Sequence, residues 1–157
     1  GLLGHPIYPL RWVRDLVTPA LARGLHEAGR ARDDFRLCLG VCCAIDDDVV
    51  RARRAAAATI AFYATVNTYE PLFAAFPGEV QRIQQAATQN DTPAMVDAVS
   101  DEMVEAFAVA GDVDSARKKL AAYGDLADQV ILSPPDQLID QAESERYRSA
   151  LIDAFGR

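Results

Sequence analysis

The segment Ala108–Pro135 constrains the fold most, because a helix signal and a strand signal follow one another in it. Asp112 is a good N-cap, since its carboxylate can accept from backbone N–H groups that the first helical turn leaves unpaired. Apolar residues then recur at helical spacing as far as Gly124. Gln129–Ser133 is a short apolar run that ends at two prolines, which suits a parallel strand covered on both faces. The segment therefore predicts one helix–strand unit of an α/β protein.

A second strand is predicted over Phe35–Ile45, and its two faces differ in side-chain size. We expect the bulky face to pack on helices and the small face to line a crowded sheet interior with room for a planar ring. The bulky face holds Phe35, Leu37, Leu39, Val41 and Cys43, and the small face holds Cys38, Gly40, Cys42 and Ala44. We predict that Phe35–Ile45 and Gln129–Ser133 are neighbouring parallel strands joined by the helices between them.

The rest of the chain reads as helical. Leu10–Ala28 carries an apolar stripe, and either it kinks at Pro19 or Thr18 caps a second segment that starts with Pro19. An alanine-rich helix runs from Val49 to about Thr65. The remaining predicted helices are Glu70–Phe76, Glu79–Gln89, one capped by Thr92, one capped by Ser100, and a last one over Asp136–Phe155 with Asp136 as a possible cap.

Two groups of residues could suggest metal or redox chemistry. Asp46, Asp47 and Asp48 precede the alanine-rich helix, but no glutamate follows at the spacing of a calcium loop, so helix capping is the better interpretation. The chain has three cysteines, all within six residues, which do not form a disulfide framework. We interpret them as small buried hydrophobic residues and predict no metal site.

Composition limits the class of function. A net charge of −7 argues against nucleic-acid binding, which needs a basic surface. No apolar run approaches the ~20 residues that span a bilayer, and the cysteine usage is that of a reducing cytoplasm. At 157 residues the chain is long enough for one domain but short for a complete (β/α)₈ barrel of ~250 residues. Since it also begins with glycine, we expect a fragment of a longer protein.

Three stretches resemble the luciferase-like family of flavin- and deazaflavin-dependent oxidoreductases. The end of that family's sequence is resembled, in order and spacing, by Phe107–Asp112 and Gln129–Pro135. The most specific resemblance to the family is in Ala44–Tyr69, which reads AIDDDVVRARRAAAATIAFYATVNTY. The resemblance covers nearly the whole chain. It implies an α/β fold that is the C-terminal part of a (β/α)₈ TIM barrel, helix-rich, with two or three parallel strands and a helical insertion. Residues 1–157 would form a single unit.

The resemblance also implies where the site lies. In the family a loop of the GHP-aromatic type, here Gly4–Tyr8, follows the sixth barrel strand and lies at the barrel mouth, where these enzymes keep their active sites. From the residues alone the same loop could equally be a surface loop pinned by Tyr8 and Trp12. The expected pocket residues are His5, Tyr8, Cys42, Ala44, Tyr63, Asn67 and Ser133. No residue of this chain is assigned a catalytic role.

The expected function follows from the family. Such proteins transfer a hydride between a flavin, or its deazaflavin analogue, and a small organic substrate, and the cofactor carries that chemistry. Coenzyme F420 is the expected cofactor, and FMN is the alternative. We expect the segment alone to be inactive, and to form a homo-oligomer or belong to a longer chain.

A second hypothesis is a non-catalytic helical module that associates through an apolar surface. Upstream coding sequence with the first barrel strands would favour the oxidoreductase, whereas a genuine start at Gly1 would favour the module.

Overall fold

A computed structural model describes residues 1–156. The strands are β1 (Leu2–Gly4), β2 (Leu37–Ile45), β3 (Ala108–Gly111) and β4 (Gln129–Ser133). The α-helices are α1 (Leu10–Trp12), α2 (Thr18–Glu27), α3 (Val49–Ala64), α4 (Pro77–Thr88), α5 (Thr92–Asp97), α6 (Asp101–Phe107), α7 (Val113–Gly124) and α8 (Gln141–Phe155). A π-helical turn, Val13–Val17, joins α1 to α2, and 3₁₀ helices cover Arg32–Asp34 and Asn67–Phe73.

Strand β2 is the centre of an all-parallel sheet. Its register sets Cys38 opposite Leu3 of β1, Ala44 opposite Ala110 of β3, and Cys42 opposite Ser133 of β4. The prediction that β2 and β4 are parallel neighbours is confirmed. The expected two or three strands are in fact four. Strands β1 and β3 have only three and four residues, too few for a hydrophobic period to distinguish them from loop.

The bulky face of β2 packs on helices, as predicted. Leu37, Leu39 and Val41 are each 1% exposed and share one core with side chains of the π-helical turn, α7 and α8. Tyr123 of α7 and Leu151 of α8 are the larger partners on the helical side. Because the helix α7 also links β3 to β4, this layer fixes the spacing of the parallel strands.

The small face is covered by α3 and its neighbours over its C-terminal half, so the predicted room for a planar ring is absent there. Cys42 and Ala44 lie in one core with Ala56 and Ile60 of α3 and with Phe107. The alanines of α3 have short side chains, which let the helix lie close to the similarly small residues of β2. The N-terminal half differs, because Leu3 is 68% exposed.

Three local predictions are confirmed. Asp48, Ser100 and Asp112 are the N-caps of α3, α6 and α7, and each side chain accepts from the backbone N–H three residues later. Asp112 accepts from Ser115 N at 2.8 Å and also from Ser115 Oγ at 3.0 Å. These bonds satisfy backbone donors that a helix start leaves unpaired.

Other boundaries differ from the prediction. Asp91, not Thr92, caps α5, and Asp140, not Asp136, caps α8. Thr18 has helical dihedral angles and caps nothing, since the π-helical turn carries the helix through to Pro19 without a break. A π-turn accommodates the proline, which has no N–H to donate. The expected helix Glu70–Phe76 is the 3₁₀ helix that begins at Asn67 and contains Pro71.

Candidate functional site

The site begins where the loop after β1 crosses the centre of β2. Pro6 O accepts from Cys42 N at 2.9 Å, which ties the loop to the strand. A Cβ atom on Gly40 would lie 3.0 Å from Pro6 N and 3.1 Å from Gly4 O, so only glycine lets the backbones approach this closely. The sheet thus holds His5 next to the C-terminal half of β2.

His5 is the centre of a cluster of aromatic rings, which we call the His5 cluster (His5, Tyr8, Tyr63 and Tyr69). The His5 ring lies 4.9 Å from the Tyr63 ring in an edge-to-face arrangement, 4.8 Å from Tyr69 and 6.3 Å from Tyr8. Tyr63 and Tyr69 also meet edge to face at 5.1 Å. All four side chains are half-buried, so the cluster presents flat apolar surface together with polar atoms.

Both nitrogens of the His5 ring have hydrogen-bonding partners. Ile7 N donates to His5 Nδ1 at 3.4 Å, and Tyr69 Oη lies 3.1 Å from His5 Nε2. Burial lowers the pKa of His5 below its ordinary value, and the negative charge of Asp136 opposes that effect. Burial, followed by Asp136, also raises the pKa of the Tyr63 phenol. Both groups are therefore held in their neutral forms near neutral pH.

The structure brings together some of the predicted pocket residues. His5, Tyr8 and Tyr63 form the His5 cluster, and Ser133 pairs in register with Cys42, the residue that binds the loop. Asn67 is exposed at the start of its 3₁₀ helix, and among residues 1–156 no aromatic contact or hydrogen bond joins its side chain to the cluster.

Cys42 and Ala44 lie beneath the site rather than on its surface. They are 1% and 0% exposed. Burial, with smaller contributions from Cys43 and Asp136, raises the pKa of the Cys42 thiol far above its ordinary value. Since the thiolate is the reactive form, Cys42 supports the loop and is not a nucleophile.

Sequence reasoning missed Tyr69 and Asp136. Tyr69 follows the end of α3, where helical spacing no longer predicts direction, and only the 3₁₀ turn brings it back to His5. Asp136 was interpreted as a possible helix cap, but it follows β4 in an extended loop, where Asp136 N donates to Thr59 Oγ1 at 3.3 Å. The stretch FYATVNTY contains Tyr63 and Tyr69, and it was the one signal in the sequence that could have pointed to Tyr69.

A second polar centre lies at the end of β2. The Asp46 side chain is 5% exposed and accepts from Arg51 Nε at 2.8 Å, from Arg51 Nη2 at 2.7 Å and from Arg146. These hydrogen bonds hold the pKa of Asp46 well below its ordinary value, and those from Arg51 contribute most. The carboxylate therefore joins β2 to α3 and α8.

A groove of about 500 Å³ lies on the chain segments that continue from the cluster. One wall is formed by residues that come after Tyr8 in the chain, including Trp12 and Leu16. The other wall is formed by residues that come after Tyr69, including Leu72 and Phe76. The lining is mainly apolar. Grooves of this size hold small molecules, but no residue of the His5 cluster lines this one.

Comparison with known proteins identifies the chain. Residues 5–129 match the family model of the luciferase-like monooxygenase. The chain belongs to that family. An uncharacterized protein of Mycobacterium tuberculosis (strain H37Rv) is 33% identical over 120 residues, which cover 73% of this chain and 35% of that protein. The 5,10-methylenetetrahydromethanopterin reductase of Methanopyrus kandleri is 27% identical over 108 residues, 68% of this chain and 31% of that enzyme.

A solved structure confirms the fold class. The coenzyme F420 dependent tetrahydromethanopterin reductase from Methanopyrus kandleri superposes with a TM-score of 0.72 at 23% identity, covering 91% of this luciferase-like chain and 41% of the reductase. The predicted α/β fold, the C-terminal part of a (β/α)₈ barrel, is confirmed. The chain spans about a third of the length of the curated relatives it matches.

Residues 1–156 lack two kinds of feature. No helix there has the length and apolar character needed to cross a membrane. No three side chains of histidine, cysteine, aspartate or glutamate come together there as a potential metal-ion site.

Proposed function

We propose that this chain is part of an oxidoreductase that uses coenzyme F420 to transfer a hydride to or from a small organic substrate. The observation that carries the proposal is the His5 cluster, which lies beside the C-terminal half of a parallel sheet in a luciferase-like chain. The similarity to an F420-dependent reductase in fold, and to a methylenetetrahydromethanopterin reductase in sequence, supports F420 over FMN.

The residues of the cluster fit a planar heteroaromatic ring. Tyr8 and Tyr63 offer aromatic surface, and the hydroxyl groups of Tyr63 and Tyr69 can donate hydrogen bonds to ring carbonyl oxygens. When bound, the deazaflavin supplies the hydride chemistry. The contribution of this chain is to hold the ring, exclude water from one side of it and keep the surroundings uncharged apart from Asp136.

A titration tests the cofactor. The experiment uses the whole polypeptide that contains this chain, mixed in parallel with F420 and with FMN and followed by fluorescence. We expect saturable binding of F420, with FMN at least ten times weaker. Tyr63→Leu removes aromatic surface from the cluster and should weaken F420 binding. His26→Asn, on the exposed side of α2, is the control and should bind as the wild type does.

The alternatives are outcomes of the same titration. Preference for FMN would leave the oxidoreductase proposal standing with the other cofactor of the family. Binding of neither cofactor by a folded protein would contradict it and favour a module that associates through an apolar surface. A cytoplasmic location and a homo-oligomeric state remain part of the proposal, and fractionation and sedimentation of the whole protein test them.

A further inference from the structure

The hydrogen bonds around His5 determine which ring nitrogen carries the proton. Ile7 N is a backbone donor, so His5 Nδ1, which it faces at 3.4 Å, must accept and carries no hydrogen. A neutral imidazole has one N–H, which is then on Nε2. That N–H points at Tyr69 Oη, 3.1 Å away, and the phenol oxygen accepts from it.

The direction of this bond leaves the phenolic hydrogen of Tyr69 unused. A phenol both accepts and donates, and the hydrogen bonds of residues 1–156 include no acceptor for the Tyr69 hydroxyl other than the His5 nitrogen that donates to it. Tyr69 is half-buried and meets Tyr63 edge to face. Its O–H is therefore left as a donor at a partly exposed aromatic surface.

We propose that Tyr69 donates a hydrogen bond to a neutral carbonyl oxygen of the bound ring, and that His5 is the positioning residue that orients the Tyr69 hydroxyl. This inference rests on the proposed function. It separates two roles within the cluster, since His5 acts only through Tyr69, while Tyr69 touches the ligand.

The charges around the cluster favour a neutral acceptor over a carboxylate or a phosphate. Asp136 lies close enough to influence both His5 and Tyr63, and its carboxylate repels an anion. The other groups that face His5 are the phenols of Tyr8, Tyr63 and Tyr69, and a phenol supplies no positive charge to attract an anion. A carbonyl on a planar ring gains a hydrogen bond here without meeting that repulsion.

The first test reads the tautomer directly. This chain contains two histidines, and long-range ¹H–¹⁵N correlation spectra of the ¹⁵N-labelled whole protein distinguish Nδ1–H from Nε2–H imidazoles. His5→Asn assigns the His5 signals by their loss. We expect a neutral Nε2–H form at pH 7, with a pKa of His5 below its ordinary value of 6.5. Removing the Asp136 charge with Asp136→Asn should move that titration to still lower pH. An Nδ1–H tautomer at pH 7 would overturn the inference.

The second test measures the donor. Tyr69→Phe keeps the ring and removes the hydroxyl, so it should weaken F420 binding about threefold to tenfold, the usual effect of one hydrogen bond. Tyr123→Phe removes a phenol on the opposite face of the sheet and is the matched control, with unchanged affinity expected. An F420 affinity of Tyr69→Phe equal to that of the wild type would overturn the role of Tyr69, whatever its thermal stability.

The third test separates positioning from contact. His5→Gln can replace the Nε2–H donor with its amide nitrogen, whereas the shorter His5→Asn cannot, so His5→Gln should retain more F420 affinity. In the Tyr69→Phe background, His5→Asn should have little further effect, because its only route to the ligand is gone. Fully additive losses would show that His5 touches the ligand itself and would overturn its positioning role.

Failure of the proposed function looks different. If the folded wild-type protein binds neither F420 nor FMN, the proposed function fails, and with it the ligand contact of Tyr69. The tautomer spectrum, which needs no cofactor, would still decide whether His5 donates to Tyr69.

Discussion

Single residues decide whether the loop with His5 reaches the sheet, and Gly40 is the clearest of them. Gly40→Ala places a Cβ 3.0 Å from the backbone nitrogen of Pro6, which cannot move without lifting the loop from β2. We expect a loss of about 1–3 kcal/mol in the free energy of unfolding, measured by urea denaturation, and weaker F420 binding by the whole protein.

Gly24→Ala is the matched control for this change. Gly24 is in α2, and a Cβ built there meets nothing within 4 Å. Alanine at an exposed helical position stabilises by about 0.5–1 kcal/mol relative to glycine, so the two variants should change stability in opposite directions. Equal stability of Gly40→Ala and the wild type would contradict the close packing of the loop.

At the same scale, His5→Ala should reduce turnover of the whole enzyme more than it reduces stability. His5 is half-buried in a loop and supports little of the core, whereas it contacts three tyrosines of the site. Steady-state kinetics and thermal melting measure the two effects, with His26→Ala as the exposed control. Unchanged kinetics with a lower melting temperature would show that His5 is structural.

At the scale of secondary-structure elements, the Asp46 side chain connects β2, α3 and α8. Asp46→Ala leaves Arg51 of α3 and Arg146 of α8 without their shared carboxylate, and both guanidinium groups are partly exposed, so water replaces part of the loss. We expect the free energy of unfolding to fall by about 2 kcal/mol. Asp15→Ala removes two exposed ion pairs, with Arg11 and Arg14, and should change the free energy of unfolding much less.

The same carboxylate makes stability depend on pH in a definite direction. The folded-state pKa of Asp46 lies below its ordinary value of 3.8 because of the two arginines. The unfolded chain therefore takes up the proton first, and the stabilisation is present above about pH 4 and is lost as the pH falls towards the folded-state pKa. Urea denaturation between pH 3 and pH 6 should show a steeper decline in the wild type than in Asp46→Ala.

At the scale of the whole molecule, the sheet is open. Among residues 1–156, strands β1, β3 and β4 pair only with β2, and the N-terminal half of the small face exposes Leu3 (68%) and Ile131 (43%). Register sets Leu3 opposite Cys38 and Ile131 opposite Gly40, so they share that face. Helix α3 and its neighbours cover the other half of the small face.

This open surface predicts that the isolated 157-residue chain self-associates. Sedimentation over a range of concentrations should show oligomers, and the double variant Leu3→Lys/Ile131→Lys should shift them towards monomer. Ile152→Lys, on the exposed side of α8, should not. A wild-type segment that stays monomeric at high concentration would contradict the prediction.

The sequence by itself determined the features that depend on local periodicity and capping. Strand β2 was predictable because, over most of its nine residues, one face carries bulky side chains and the other small ones. Helix α7 was predictable because Asp112, an apolar stripe and Gly124 lie within one short window. The family resemblance was also visible in the sequence, and it supplied the barrel and the loop at His5.

Only the tertiary structure decided the contacts that join distant parts of the chain. His5 and Tyr69 are 64 residues apart, and Asp46 and Arg146 are 100 apart, so no local pattern relates them. The covering of Cys42 and Ala44 by α3 depended on how closely a helix of alanines could approach the sheet. Periodicity specifies which face of an element is apolar, but packing selects the partner that buries that face, because hydrophobic burial is non-directional.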